Sequence, residues 1–239
     1  YGIRAAHEGE GYARFLNSKG IDAFVVDYRC TPTHFPYELL DARRSVRFVR
    51  ANAEKFGIDP NKIAVMGSSA GGHLAALVST YRGTIGGEGA DALDEVDYRP
   101  NATILCYPVI NGSEDGIRHL GSFLNLLGKD ATAEELEEFS LENQVDDETP
   151  PAFIWHTSED QSVNVINSYK YATALRKHKI PCELHVFPFG PHGLGLADES
   201  YFDFKKSRNE SNFWKGDYEY ISKWASLLAD WLKLFGYRN

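Results

Sequence analysis

The chain has 239 residues, 43% of them hydrophobic and 13% aromatic, enough to bury a substantial core in one large domain or two small ones. A net charge of −9 argues against nucleic-acid binding, and the acidic stretch at 134–139 reads as a solvated helix face. No apolar run reaches the roughly 18 residues of a membrane span.

Apolar runs alternate with helical patterns along the chain. GYARFLNSKG is helix-like, and IDAFVVDY (21–28) reads as a β-rich strand. YELLDARRSVRFVRANAEKFG (37–57) carries Leu40, Val46, Val49, Ala53 and Phe56 near helical spacing, with Gly57 as a stop. KIAVMG is a strand, AGGHLAALVSTY a helix, NATILCYPVI (101–110) a strand and PAFIWHT (151–157) another. A helix over 164–179, a strand over 182–189 and an amphipathic helix over 217–236 complete the series.

Strands apolar on both faces and separated by helices predict a parallel sheet covered on both sides, in one α/β domain of five readable strands. Two stretches break the alternation and read as insertions over one sheet edge. Residues 111–150 hold a short helix near FLNLLG and a second with a capping box from Thr132 to Glu135. Residues 198–216 are polar and aromatic. Cys30, Cys106 and Cys182 are far apart and odd in number; they read as small apolar residues, not as a disulfide framework or a metal site.

Gly67-Ser68-Ser69-Ala70-Gly71 fits G-x-S-x-G between a strand and a helix. The demand is steric. A sharp strand-to-helix turn lifts the central Ser69 hydroxyl above the sheet, and only small neighbours leave room for it. Ser68 reads as one such small neighbour. A nucleophilic serine needs a base, and the base an orienting acid, in the chain order Ser, acid, His. Asp160 lies three residues past a strand end, with Glu159 as its competitor. His192, in Gly190-Pro191-His192-Gly193, follows the last strand. The other seven histidines fit less well: His156 ends the strand before the acid, and His73 sits one helical turn past Ser69. No pair of them has metal-ligand spacing.

VMGSSAGGHLAA, PPAFIWHTSEDQSVNVINSYKYATAL and FPFGPHGLGLA together resemble the α/β-hydrolase fold, and within it the bacterial carbohydrate-esterase, acetylxylan-esterase-like group related to feruloyl esterases. The resemblance extends over nearly the whole chain. It implies a serine esterase acting on short acyl esters, acetyl above all, of sugars or xylo-oligosaccharides. Ser69 would be the nucleophile, Asp160 the acid, His192 the base and the Ala70 N–H an oxyanion donor. Ser68 and His73 are the remaining candidates for substrate contact. It calls for no cofactor or metal, and its partner is a small ester, with no nucleic acid or membrane; self-association is left open. A cytoplasmic location fits the odd cysteines and the lack of a visible signal peptide, although the first residue is not Met.

The family carries a Gly-rich turn after an early strand, which supplies a second oxyanion donor. Tyr1 resembles the residue after those glycines, so the expectation is that about 30 or more residues of the gene product, including N-terminal strands of the sheet, precede this sequence; those strands would leave unpaired backbone groups costing about 1–3 kcal/mol each if absent. Phe123, Tyr201, Phe202, Phe204, Phe213 and Trp214 are open to two readings: stacking on a sugar or acyl group, or packing the insertions themselves. The alternatives to an esterase are another serine hydrolase of the fold, a peptidase or lipase, and an inactive binding module.

Overall fold

A computed structural model describes residues 1–87, 89, 91–210, 214 and 216–237. Four strands, β1 (Ala64–Ser68), β2 (Ala102–Cys106), β3 (Ala152–Thr157) and β4 (Cys182–Phe187), form one parallel sheet in that order. All three pairings are parallel, with Ser68 opposite Cys106, Cys106 opposite Trp155, and Thr157 opposite Phe187. The carboxyl ends of the strands therefore line up along one edge.

Alternation along the strands sends neighbouring side chains to opposite faces. Leu105 and Ile154 pack on one face with α2 (Tyr37–Ala51), α4 (Ala70–Thr80) and α7 (Ile166–Lys177). Ile104, Cys106, Phe153 and Trp155 pack on the other with α1 (Ala6–Ser18) and α9 (Tyr218–Leu234). Trp155 stacks on Trp224 of α9 at 4.7 Å and 17° between planes. Each such fully buried side chain contributes about 1.5–3 kcal/mol.

Between α2 and α4, the chain breaks at Asn52 into the short α3 (Ala53–Phe56), and Gly57 closes it at φ 70. The 111–150 stretch holds α5 (Leu120–Leu127), α6 (Ala133–Glu138) and a 3₁₀ turn at Leu141–Asn143; α6 carries the Thr132–Glu135 capping box in both directions. The 198–216 stretch holds α8 (Glu199–Ser207), with Asp198 as its cap. Asp217 caps α9 in the same way.

Two strand expectations need correction. NATILCYPVI is strand only to Cys106, because Tyr107 takes φ 37 and turns the chain out of the ladder. Residues 21–28 form no strand. A strand exists through its hydrogen-bonded neighbour, and the sheet order leaves β1 at the edge with β2 as its partner. A groove of about 1530 Å³ runs along β1, bordered by α1 and the 21–28 segment. Phe24, Val25 and Val26 are accordingly exposed.

Candidate active site

Ser69 joins β1 to α4 with φ 55 and ψ −119. For a residue with a Cβ this conformation costs about 1–3 kcal/mol and persists only where its surroundings enforce it. Here the Ser69 N–H donates to the Cys106 carbonyl at 3.0 Å, and its own carbonyl accepts from His73 and Val109, both at 3.1 Å. The flanking glycines leave space for the turn. A Cβ at Gly67 would lie 2.0 Å from the Gly71 carbonyl oxygen, and one at Gly72 would lie 2.9 Å from Pro108.

Three of the sequence candidates come together. The Ser69 hydroxyl lies 2.8 Å from His192 Nε2, and His192 Nδ1 lies 2.6 Å from Asp160 Oδ2. A carboxylate only accepts, so Nδ1 carries the proton and Nε2 is left to accept from Ser69. Asp160 is buried, and its Oδ1 accepts from the N–H groups of Ser162 and Val163, both at 2.8 Å. Burial alone would raise the Asp160 pKa; hydrogen bonding from His156, His192 and the Val163 N–H outweighs it and holds the carboxyl well below its usual range. The competitor Glu159 is exposed, and its Oε2 faces the Gly190 N–H at 3.4 Å. Ala70 opens α4, so its N–H belongs to the helical turn that lacks intrahelical acceptors.

Ser68 and His73 are held elsewhere. Ser68 is buried, with its hydroxyl 2.8 Å from that of Tyr12. His73 is fully buried; Nε2 donates to the Phe139 carbonyl at 3.0 Å and Nδ1 accepts from the Tyr1 hydroxyl at 2.7 Å. Burial pushes the His73 pKa down to about 4, so it is neutral at pH 7.

Sequence reasoning passed over Tyr107. Its ring meets the His192 imidazole edge-on at 5.0 Å, and its hydroxyl donates to Glu8 at 2.6 Å while accepting from the Gly195 N–H at 2.9 Å. It thus ties the end of β2 to the loop that carries His192. His7 closes the same loop through the Gly193 carbonyl at 2.9 Å. No signal for it stands in the sequence, since 101–110 reads as one strand through Tyr107, whereas its φ of 37 is uncommon for tyrosine.

The described aromatic residues of the insertions pack mostly against α1, α4 and α9. Phe123 and Tyr201 are buried. Phe202 and Trp214 meet Tyr218 at 4.8 and 5.1 Å, and Phe204 stacks on His7 at 4.3 Å. Phe213 lies outside the described residues. Ser69 and His192 both border the groove along β1. His119 stands near the same center: its pKa is lowered by burial first and by His192 next, and its Nδ1 lies 2.9 Å from the Ser122 hydroxyl. Among the described residues no cluster of three metal-ligating side chains occurs, and no helix is long and apolar enough to cross a membrane.

The family model described as BD-FAE matches residues 6–175. The chain belongs to the BD-FAE family. It is 42% identical over 207 residues to endo-1,4-beta-xylanase B of Butyrivibrio fibrisolvens, covering 84% of this chain and 32% of that protein. It is 35% identical over 195 residues to an acetylxylan esterase of Xylanibacter ruminicola, covering 80% of this chain and 38% of that protein. This BD-FAE chain therefore spans only about a third of the length of those relatives. Among solved structures, an acetyl ester-xyloside bifunctional hydrolase from Caldicellulosiruptor lactoaceticus superposes with a TM-score of 0.85 at 42% identity, over 100% of this chain and 80% of that one. The fold is that of the α/β hydrolases, and the carbohydrate-esterase resemblance read from the sequence is the family to which this BD-FAE chain belongs.

Proposed function

We propose that the chain is a serine esterase that removes short acyl groups, acetyl above all, from sugars or xylo-oligosaccharides. The observation that carries the reading is the relay from Ser69 through His192 to Asp160, at 2.8 and 2.6 Å, mounted on a strained strand-to-helix turn. In this reading His192 Nε2 takes the Ser69 proton as Oγ attacks the ester carbonyl. The Ala70 N–H stabilises the developing oxyanion. His192 then gives the proton to the leaving alcohol oxygen, and Asp160 stabilises the imidazolium in between. Water, deprotonated by His192, attacks the acyl-enzyme; the acid is released and Ser69 regains its proton.

The acyl-sugar part of the reading rests on the names of the relatives, an acetylxylan esterase and an acetyl ester-xyloside hydrolase. Its test is the rate on p-nitrophenyl acetate, butyrate and octanoate, alongside acetate release from acetylated xylo-oligosaccharide. The expected result is a preference for acetyl over octanoyl and deacetylation of the sugar. Preference for octanoate would move the chain to the lipase side, and failure on every ester would leave the binding-module alternative standing.

A further inference from the structure

Asp160 must hold Oδ2 toward His192 while charge comes and goes on the imidazole, and the loop N–H groups of Ser162 and Val163 hold the other oxygen, Oδ1. The residue behind it is His156, fully buried near the end of β3. His156 Nε2 lies 3.0 Å from the Val163 carbonyl and 3.3 Å from Asp160 Oδ2. A carbonyl can only accept, so Nε2 carries the proton, and its positive end faces Oδ2 as well. Nδ1 is then the acceptor, and the Ser168 hydroxyl on α7 donates to it at 2.8 Å. Ser168 is itself fully buried.

The arrangement reaches both carboxylate oxygens. Oδ2 receives the His192 Nδ1–H at 2.6 Å and faces the His156 Nε2–H at 3.3 Å. Oδ1 receives the N–H of Val163, the residue whose carbonyl His156 holds. The histidine thus ties β3 and α7, the two elements that bracket the acid loop, to the loop between them. No step of the proposed reaction uses it, and it has no path to substrate.

We propose that His156, with its proton fixed on Nε2 by Ser168 and Val163, is the positioning residue for Asp160: it aims the carboxylate at His192 and draws off part of the charge that His192 feels. This inference rests on the esterase reading of Ser69, His192 and Asp160. Two effects follow when its N–H is removed. The carboxylate is free to turn, so turnover falls. Oδ2 also presents more negative charge to His192, which stabilises the imidazolium and raises the pH at which the base becomes available. Among the described residues, the other charged or titratable groups facing Asp160 and His192 are His119 before α5, Glu159 beside the acid, and Tyr107 with Glu8 behind it. None of them is altered in the variants below.

The test is kcat and KM for p-nitrophenyl acetate from pH 5 to 9, per active site titrated with a fluorophosphonate, for wild type, His156→Leu, His156→Gln and Ser168→Ala. For His156→Leu, kcat is expected to fall about 10-fold or more with KM little changed, and the acid limb of the profile to move up by roughly 0.5 pH unit. His156→Gln, whose amide N–H can stand in for Nε2–H, recovers most of both. Ser168→Ala, which keeps the imidazole but frees its Nδ1, shows a smaller change in the same direction. A merely structural role would lower the titrated fraction and leave the limb and kcat per site where they were. That outcome, or a Gln variant no better than Leu, overturns the proposal; if the Leu variant does not fold, the Gln and Ala profiles decide it, an unmoved limb in both overturning it. A wild type that takes no fluorophosphonate overturns the esterase reading beneath it and this proposal with it.

Discussion

Two buried carboxylates lie in different regions of the molecule and face opposite circumstances. Asp160, at the end of β3, has four N–H groups around it, from Ser162, Val163, His192 and His156. Glu38, in the first turn of α2, is fully buried, and among the described residues no other residue donates a hydrogen bond to its oxygens. Burial opposes the charge on both. For Glu38 burial dominates and the pKa is raised; for Asp160 the donors outweigh it and the pKa is lowered. Partners, more than depth, decide whether a buried acid stays ionised. Side-chain hydrogen bonds also tie together the β3–β4 end around Asp160.

The largest effect is expected at the center of the organised region. Ser69→Ala should cost about 10⁵–10⁶ in kcat on p-nitrophenyl acetate, measured against the wild type at equal folded concentration. Asp160→Asn should cost about 10⁴ by favouring the wrong His192 tautomer. Stability then separates the two carboxylates by sign. Asp160 titrates below its unfolded value, so its contribution is present above about pH 4 and is lost as pH falls through the folded pKa. Asp160→Asn should therefore be less stable to urea at pH 7, by on the order of 2 kcal/mol, with the gap closing in acid. Glu38 titrates above its unfolded value, so its charge costs stability at higher pH and the cost vanishes below about pH 4. Glu38→Gln should raise the urea midpoint at pH 7 and leave it unchanged at pH 3.5; a midpoint that falls at pH 7 would mean the carboxylate has a partner. The smallest change is Tyr12→Phe, which removes the hydroxyl facing Ser68 and should cost about 1 kcal/mol in urea with activity within a few-fold.

The strained turn at Ser69 was legible because its cause is local. Ser69 sits where Gly67 and Gly72 leave room, and both the glycines and the flanking strand and helix patterns stand in the sequence. Asp160 and His192 were found from their places after strands, since parallel strands bring their carboxyl ends to one edge. The work done by Ser68 was not legible: it was read as a small residue and a candidate for substrate contact, and its partner Tyr12 is 56 positions away on α1. His156 stood four residues before the acid and looked like a strand end, because nothing local reveals that Ser168 lies behind its ring. Residues 21–28 have the composition of a strand and no ladder to join, which apolar pattern alone cannot report. Tyr107 ended a strand that composition would have continued, because its positive φ is set by contacts with Trp155, Glu8 and Gly195.

The central claim is that Ser69 is a nucleophile activated by His192. Labelling the chain with a fluorophosphonate and mapping the adduct by peptide mass spectrometry tests it most directly. One adduct is expected, on Ser69, absent from Ser69→Ala and formed far more slowly in His192→Gln. An adduct on Ser68, labelling that survives Ser69→Ala, or a rate indifferent to His192 would contradict it.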